Sequence, residues 1–162
     1  MKPVIFIPLT RGKIAVIDFS DAEKIRGHSW NAQSCGHGKF YAACRWKNRL
    51  VLLHRHILQA LPGTLIDHKN RNTLDCRREN LRVSTASQNI ANQGKRAGLS
   101  SKFKGVCRVS PRVNKKNPWM AYVGGTPRKH LGYFQEEEFA ALAHDEAAKR
   151  MFGEFAQLNF PL

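Results

Sequence analysis

Ile66–Gln93 reads IDHKNRNTLDCRRENLRVSTASQNIANQ. Asp67 and His68 are adjacent, Asn80 follows twelve residues after His68, and Asn89 nine residues after that. The stretch sets a carboxylate, an imidazole and two carboxamides in a very basic chain. A carboxylate and an amide oxygen are hard ligands that suit a divalent cation such as Mg²⁺ or Mn²⁺. An unperturbed imidazole titrates near neutrality, at about 6.5, and can take a proton from water. Hydrolysis of a phosphodiester requires these parts: an activated water, charge neutralisation at phosphorus and a stabilised leaving oxygen. Neighbouring residues on a strand point to opposite faces, so Asp67 and His68 can take different tasks.

The chain around this stretch has 162 residues, a net charge of +15 and 42% apolar residues, enough to bury a core. Such an excess of positive charge points to a nucleic-acid partner ahead of an anionic membrane. No apolar run approaches the roughly 18 residues of a membrane helix. The opening MKPVIFIPLTRG is too short in apolar residues for a signal peptide. The expected location is therefore the cytoplasm. Cys35, Cys44, Cys76 and Cys107 form no C-x-x-C pair and are read as reduced thiols. His28, His37, His130 and His144 show no ligand spacing with one another.

Outward from the motif, short elements are predicted. Val4–Pro8 and Lys13–Asp18 read as strands around a Thr10-Arg11-Gly12 turn, with Ser20-Asp21 capping a short helix through Arg26. Phe40–Trp46 reads as a strand, and Leu50–Leu61 as a helix stopped by Pro62-Gly63. After the turn-rich loop holding Asn70, Asn72 and Asp75, Leu81–Val83 is a strand candidate. Thr85-Ala86-Ser87-Gln88 has capping-box spacing, which places Asn89 on the first turns of a helix. Residues 93–101 are polar and rich in Gly and Ser. Lys104–Val109, Trp119–Val123 and Arg128–Phe134 read as strands, with a break at Gly124-Gly125-Thr126-Pro127. Glu136–Phe152 reads as a helix with an apolar stripe of Phe139, Leu142, Ala143, Ala147 and Met151, stopped by Gly153. Charge changes sharply here: residues 100–135 hold eight Lys or Arg and no acid, and residues 136–162 hold six acids and two bases.

Leu53-His54-Arg55, Pro62-Gly63, Asp67-His68, Leu74-Asp75, Arg77 to Arg82 and Gln88-Asn89 together resemble the HNH nuclease family, in its homing-endonuclease branch. The resemblance covers Leu53 to Asn92. It implies a ββα unit gripping one divalent ion, with His68 as general base, Asp67 and Asn89 as metal ligands, and Asn80 as a structural residue; the residues themselves suggest that Asn80 tethers the loop and fixes the orientation of the imidazole. Arg71, Arg77, Arg78 and Arg82 are the expected grips on the DNA backbone near the scissile bond. His54 and His56, on the predicted helix beside the motif, are read as packing or hydrogen-bonding residues.

Phe103-Lys104-Gly105-Val106, Trp119–Val123, His130–Phe134, the helix with Ala140-Ala141, His144, Asp145 and Ala147-Ala148, and Leu158-Asn159-Phe160-Pro161 resemble the ethylene-response-factor (Apetala-type) DNA-binding domain. That resemblance implies a three-stranded antiparallel sheet packed on one helix, with the sheet laid in the major groove. Cys107 and Val109 stand where arginines often read bases. The pleat alone puts Trp119, Ala121 and Val123 toward the helix and Met120 and Tyr122 outward with Arg128 and His130. Lys104, Arg108, Arg112, Lys115 and Lys116 are expected on phosphates.

The expected fold class is α+β: a β-rich segment 1–47, an HNH ββα-metal unit 48–93, a linker 94–101 and a DNA-binding domain 102–162. The leading functional reading is a metal-dependent, site-preferring endonuclease of the homing type, monomeric, acting on double-stranded DNA with one Mg²⁺ or Mn²⁺. The alternative is a non-catalytic, sequence-specific DNA-binding regulator with a degenerate HNH fold. An RNA nuclease or RNA binder ranks third, because no aromatic stacking motif for single strands stands out.

Overall fold

The computed structural model describes residues 2–36, 38–124 and 127–161. His37 and the Gly125-Thr126 part of the predicted break lie outside the described residues. The chain divides into two compact units, Met1–Ser84 and Thr85–Leu162. Each mixes small antiparallel sheets with helices. Among the described residues no helix is long and apolar enough to cross a membrane. All four cysteines are free thiols, as expected.

In the first unit, β1 (Val4–Pro8) and β2 (Ile14–Asp18) form a hairpin in which Ile5 faces Ile17 and Ile7 faces Ala15. Period-two alternation puts Ile7, Ala15 and Ile17 in the core and leaves Phe6 in solvent. Arg11 and Gly12 turn the chain with positive φ. The helix α1 (Ala22–Ile25) is short, and neither Asp21 nor Ser20 caps it with a side-chain hydrogen bond as predicted; the Asp21 carboxylate is occupied elsewhere. The strands β3 (Asn31–Ser34), β4 (Phe40–Trp46) and β5 (Arg49–Leu52) form a meander in that order.

The expected helix Leu50–Leu61 is split. Lys47 and Asn48 both have positive φ, the geometry of a tight hairpin turn, and the returning chain pairs Val51 with Cys44 and Leu52 with Ala43. Pairing with β4 satisfies those backbone groups and keeps Leu50–Leu52 extended. The helix α2 therefore spans only Leu53–Leu58 and ends on Gln59 in the left-handed region. It buries Leu53, His54 and Ile57. The strands β6 (Leu65–His68) and β7 (Leu81–Ser84) pair antiparallel, with Asp67 opposite Arg82 and His68 opposite Leu81.

The second unit opens with α3 (Ala86–Asn92), whose N-terminus carries the predicted box: Thr85 Oγ1 accepts from the Gln88 amide and Gln88 Oε1 from the Thr85 amide. The strands β8 (Val106–Arg108), β9 (Trp119–Val123) and β10 (Lys129–Phe134) form an antiparallel sheet in the order β10-β9-β8. The helix α4 (Glu137–Phe152) packs on it and stops at Gly153. The division after Ser84 falls inside the expected 48–93 segment, not at 94–101. The cause is local: the Lys104 ammonium donates to the Ala91 and Gln93 carbonyls, and the Gln157 amide to Ala91 O, which ties α3 into the C-terminal fold.

The predicted stripe on α4 is corrected. Phe139, Leu142 and Met151 are exposed, at 60%, 47% and 49%, whereas Ala140, Ala141, His144, Asp145 and Ala148 are buried. Small residues let the helix approach the sheet closely. Gly105, at φ +73°, marks the tightest point, since a Cβ there would lie 1.8 Å from His144 Nδ1. The His144 ring donates from Nδ1 to the Tyr122 carbonyl at 2.7 Å. Beside it the Asp145 carboxylate accepts from the Asn159 and Phe160 amides, and Asn159 Oδ1 accepts from the Lys104 amide. That network seats the terminal Leu158-Asn159-Phe160-Pro161 segment.

Candidate active site

The motif loop is held in shape by its own amides. Asn80 is buried; its Oδ1 accepts from the Asn70 amide at 2.9 Å and its Nδ2 donates to the Asp75 carbonyl at 2.7 Å. These bonds satisfy backbone groups that a loop cannot pair by itself. Asn80 thus tethers the loop, one of the two tasks expected of it. The N-terminal segment holds the same loop from outside. Val16 donates to Leu74 O and accepts from the Cys76 amide, and the Arg78 amide donates to Asp18 Oδ2.

His68 is buried, at 4% exposure, with its ring centroid 5.0 Å from that of His54 and 6.1 Å from that of Tyr41. Burial drives the pKa of His68 down to about 4, against the opposing pull of the Asp67 and Asp75 charges. His54 is lowered to about 3, by burial first and then by the His68 and Arg55 charges. Both imidazoles are neutral at neutral pH, the form that accepts a proton. Tyr41, 5.2 Å from His54 between centroids, has its phenol pushed up, chiefly by burial. Sequence reasoning read His54 as a packing or hydrogen-bonding residue and did not single out Tyr41. The Leu53-His54-Arg55 motif held the signal for His54. No local signal marked Tyr41, which arrives from β4.

Asp67 is buried at 4%, and its Oδ2 lies 2.9 Å from both Nε and Nη2 of Arg82. The cross-strand register creates this pair. The other arginines of the motif are also engaged. Arg77 binds Asp75 through Nε and Nη2 at 2.9 and 2.7 Å, and Glu79 at 3.0 Å. Arg78 binds the Asp21 carboxylate through Nε and Nη2 at 2.8 and 2.7 Å. Burial pushes the Asp21 carboxyl up, but hydrogen bonds and charge from Arg78 and Lys24 outweigh it, leaving the pKa below the usual value. Asp75 follows the same balance, with Arg77 and Asn70 supplying the lowering. Of the four arginines expected on the DNA backbone, Arg77, Arg78 and Arg82 therefore hold the protein's own carboxylates. Arg71 is exposed on the loop at φ 64°.

Asp67, His68 and Asn80 stand together in the first unit. Asn89 belongs to the second, half-buried on α3, where its amide donates to Thr85 O at 2.9 Å. Also in the second unit, Lys104 departs from its expected phosphate role, because its ammonium caps the carbonyls ending α3. Arg112, Lys115, Lys116, Arg128 and His130 are exposed. The Arg128 guanidinium lies 4.5 Å from the Tyr122 ring centroid, and His130 pairs opposite Tyr122. Arg108 lies 5.9 Å from the Trp119 ring centroid.

Among the described residues no cluster of three or more His, Cys, Asp or Glu is arranged to hold a metal ion. A hard divalent ion of the Mg²⁺ kind needs less, one or two carboxylates with waters and substrate phosphate. The buried Asp67 carboxylate fits that limited donor set.

An HNH endonuclease family model matches residues 51–91. The matched segment contains His54, Asp67, His68, Asn80 and Asn89, and it is similar to an HNH nuclease. No solved structure matches the chain.

Proposed function

We propose that the HNH segment makes this chain a metal-dependent, site-preferring endonuclease of the homing type, hydrolysing phosphodiester bonds of double-stranded DNA one strand per visit. The observation that carries the proposal is the buried, neutral His68 next to Asp67 inside the matched segment. His68 takes the proton from water as the oxygen attacks phosphorus, and the 3′ oxygen departs to leave a 5′-phosphate. Asn80 keeps the loop behind the imidazole from shifting. Asp67 would hold a divalent cation, Mg²⁺ or Mn²⁺; Asn89 is the second ligand that the HNH resemblance implies. When bound, the ion would supply charge neutralisation at phosphorus and at the leaving oxygen. Arg128, Tyr122 and His130 present the second unit's outer sheet face to duplex DNA, and Arg108, Arg112, Lys115 and Lys116 meet phosphate.

The test is plasmid cleavage with Mg²⁺ against EDTA, for the native chain and for His68→Ala. Cutting that needs the ion and disappears in His68→Ala, with DNA binding intact, supports the reading. A second reading, a DNA-binding regulator on a degenerate HNH scaffold, draws on the engagement of Asp67, Asp75 and Asp21 by arginines. It predicts salt-dependent binding and no nicks in the same assay.

A further inference from the structure

We infer that the solvent face of the β3–β4–β5 sheet is a second contact surface for duplex DNA, with Asn31, Gln33 and Arg45 touching the duplex close to the bond cut at His68. The inference deepens the nuclease reading and rests on it for the position of the cut.

Alternation along β3 and β4 sorts the side chains. Trp30, Ala32, Ala42 and Cys44 point into the core. On the opposite face Ala43 is fully buried at the centre, and Asn31, Gln33, Tyr41 and Arg45 around it are polar. Ser29, Asn31, Gln33, Arg45 and Leu50 line an open groove of ≈ 570 Å³. Its hydrogen-bonding side chains are those that pair with base edges: carboxamides match adenine N6 and N7, and guanidinium matches guanine O6 and N7. A major groove admits a β-sheet edge or ribbon of this kind.

Charge selects the same partner. From Lys24 to Ile66 the chain carries seven Lys or Arg and no Asp or Glu. Arg45 is exposed and no acid engages it among the described residues, in contrast to Arg77, Arg78 and Arg82. A polyanion with paired donor and acceptor edges suits this face better than an apolar protein surface does.

Position links the face to the chemistry. Tyr41 lies on the same face as Arg45, and its ring is 6.1 Å from His68. Four residues of strand from Tyr41 to Arg45 span about 13 Å at ~3.3 Å per residue. Adding the step from Tyr41 to His68 and taking ~3.4 Å per base pair, the contacts fall within about six base pairs of the cut.

The experiment uses the full chain with a linear plasmid-derived duplex, and single-stranded RNA as a parallel probe. Arg45→Gln should weaken duplex binding about tenfold and reduce the salt slope by about one. Arg150→Gln, on an exposed ion pair of α4 with Glu146, should leave both unchanged. The pair Asn31→Ala with Gln33→Ala should raise KM and change preference among cut sites while kcat holds. Arg45→Lys should restore the slope but not the site preference. Unchanged thermal melting shows that each variant is folded. Wild-type affinity and site preference in the Arg45 and Asn31/Gln33 variants would overturn the inference, as would a loss of RNA binding alone. A native chain that binds duplex without cutting it would sink the nuclease reading, and the binding measurements would still decide this one.

Discussion

In the first unit Arg77, Arg78 and Arg82 each end on a carboxylate, and Asp21, Asp67 and Asp75 are buried beneath them. In the second, Arg108 and Arg128 end over aromatic rings, and Arg112, Lys115 and Lys116 are exposed. Similar residue types thus perform opposite tasks. A buried carboxylate needs a partner, because an unpaired charge out of water is expensive. Arg77, Arg78 and Arg82 are therefore committed to folding. Cations that neutralise no acid of their own remain available to an external polyanion. The comparison teaches that a basic sequence is not a uniform DNA footprint, and that acids close in the fold remove particular arginines from it.

The largest expected effect tests chemistry in the first unit. His68→Ala should lower cleavage by about 10²- to 10⁴-fold, the range for losing a general base, while gel-shift affinity stays within a factor of two or so of native. Equal loss of binding would show that His68 serves the fold. Next comes the pair of buried Asp21 with half-exposed Arg78. Asp21→Ala should destabilise the first unit by about 2–4 kcal/mol in urea titration, whereas Arg128→Ala in the second should change stability by less than about 0.5 kcal/mol and weaken DNA binding. Equal stability losses from the two changes would erase the distinction.

The second unit has its own sensitive point. Gly105→Ala should destabilise it by about 2–4 kcal/mol, and adding His144→Ala should recover part of that loss by removing the clash. A neutral Gly105→Ala would show that the helix can retreat from the sheet.

Per pH unit and per histidine, titration gives the smallest effect. His54 and His68 have folded pKa values of about 3 and about 4, below the ordinary 6.5. At pH above 6.5 both are neutral in either state and add no pH dependence. As pH falls, the unfolded chain binds protons that the folded chain does not, so stability declines by about 1.4 kcal/mol per pH unit per histidine. The slope should run from about 6.5 down through the folded values and then flatten, and His54→Gln should roughly halve it. His144, lowered by burial against the pull of the Tyr122 carbonyl, gives the second unit a dependence of the same sign.

Much of the fold was legible in the sequence. Val4–Pro8, Phe40–Trp46 and Trp119–Val123 were readable as strands to the residue, because alternation and flanking turns are local. The Thr85–Gln88 cap was readable because both partners lie within one helical turn. Leu50–Leu52 was not, since an apolar run is compatible with helix or strand until a neighbour pairs with it. The stripe on α4 misled because size and hydropathy favoured Phe139, Leu142 and Met151, and a close sheet selected alanines instead. In the site, Asp67, His68 and Asn80 were legible from spacing and resemblance. Tyr41 was not, because twenty-seven residues of chain separate it from His68.

The amino-acid order alone determined which chemical groups this protein owns and how far apart along the chain they stand: a basic polymer, the Asp-His pair, the spaced asparagines and the strand and helix periods. Only tertiary structure decided which charges cancel. Coulombic pairing and desolvation depend on distance in space and on burial, and a sequence expresses neither. Asp21 meets Arg78 across fifty-seven residues, and among the described residues no acid engages Arg45.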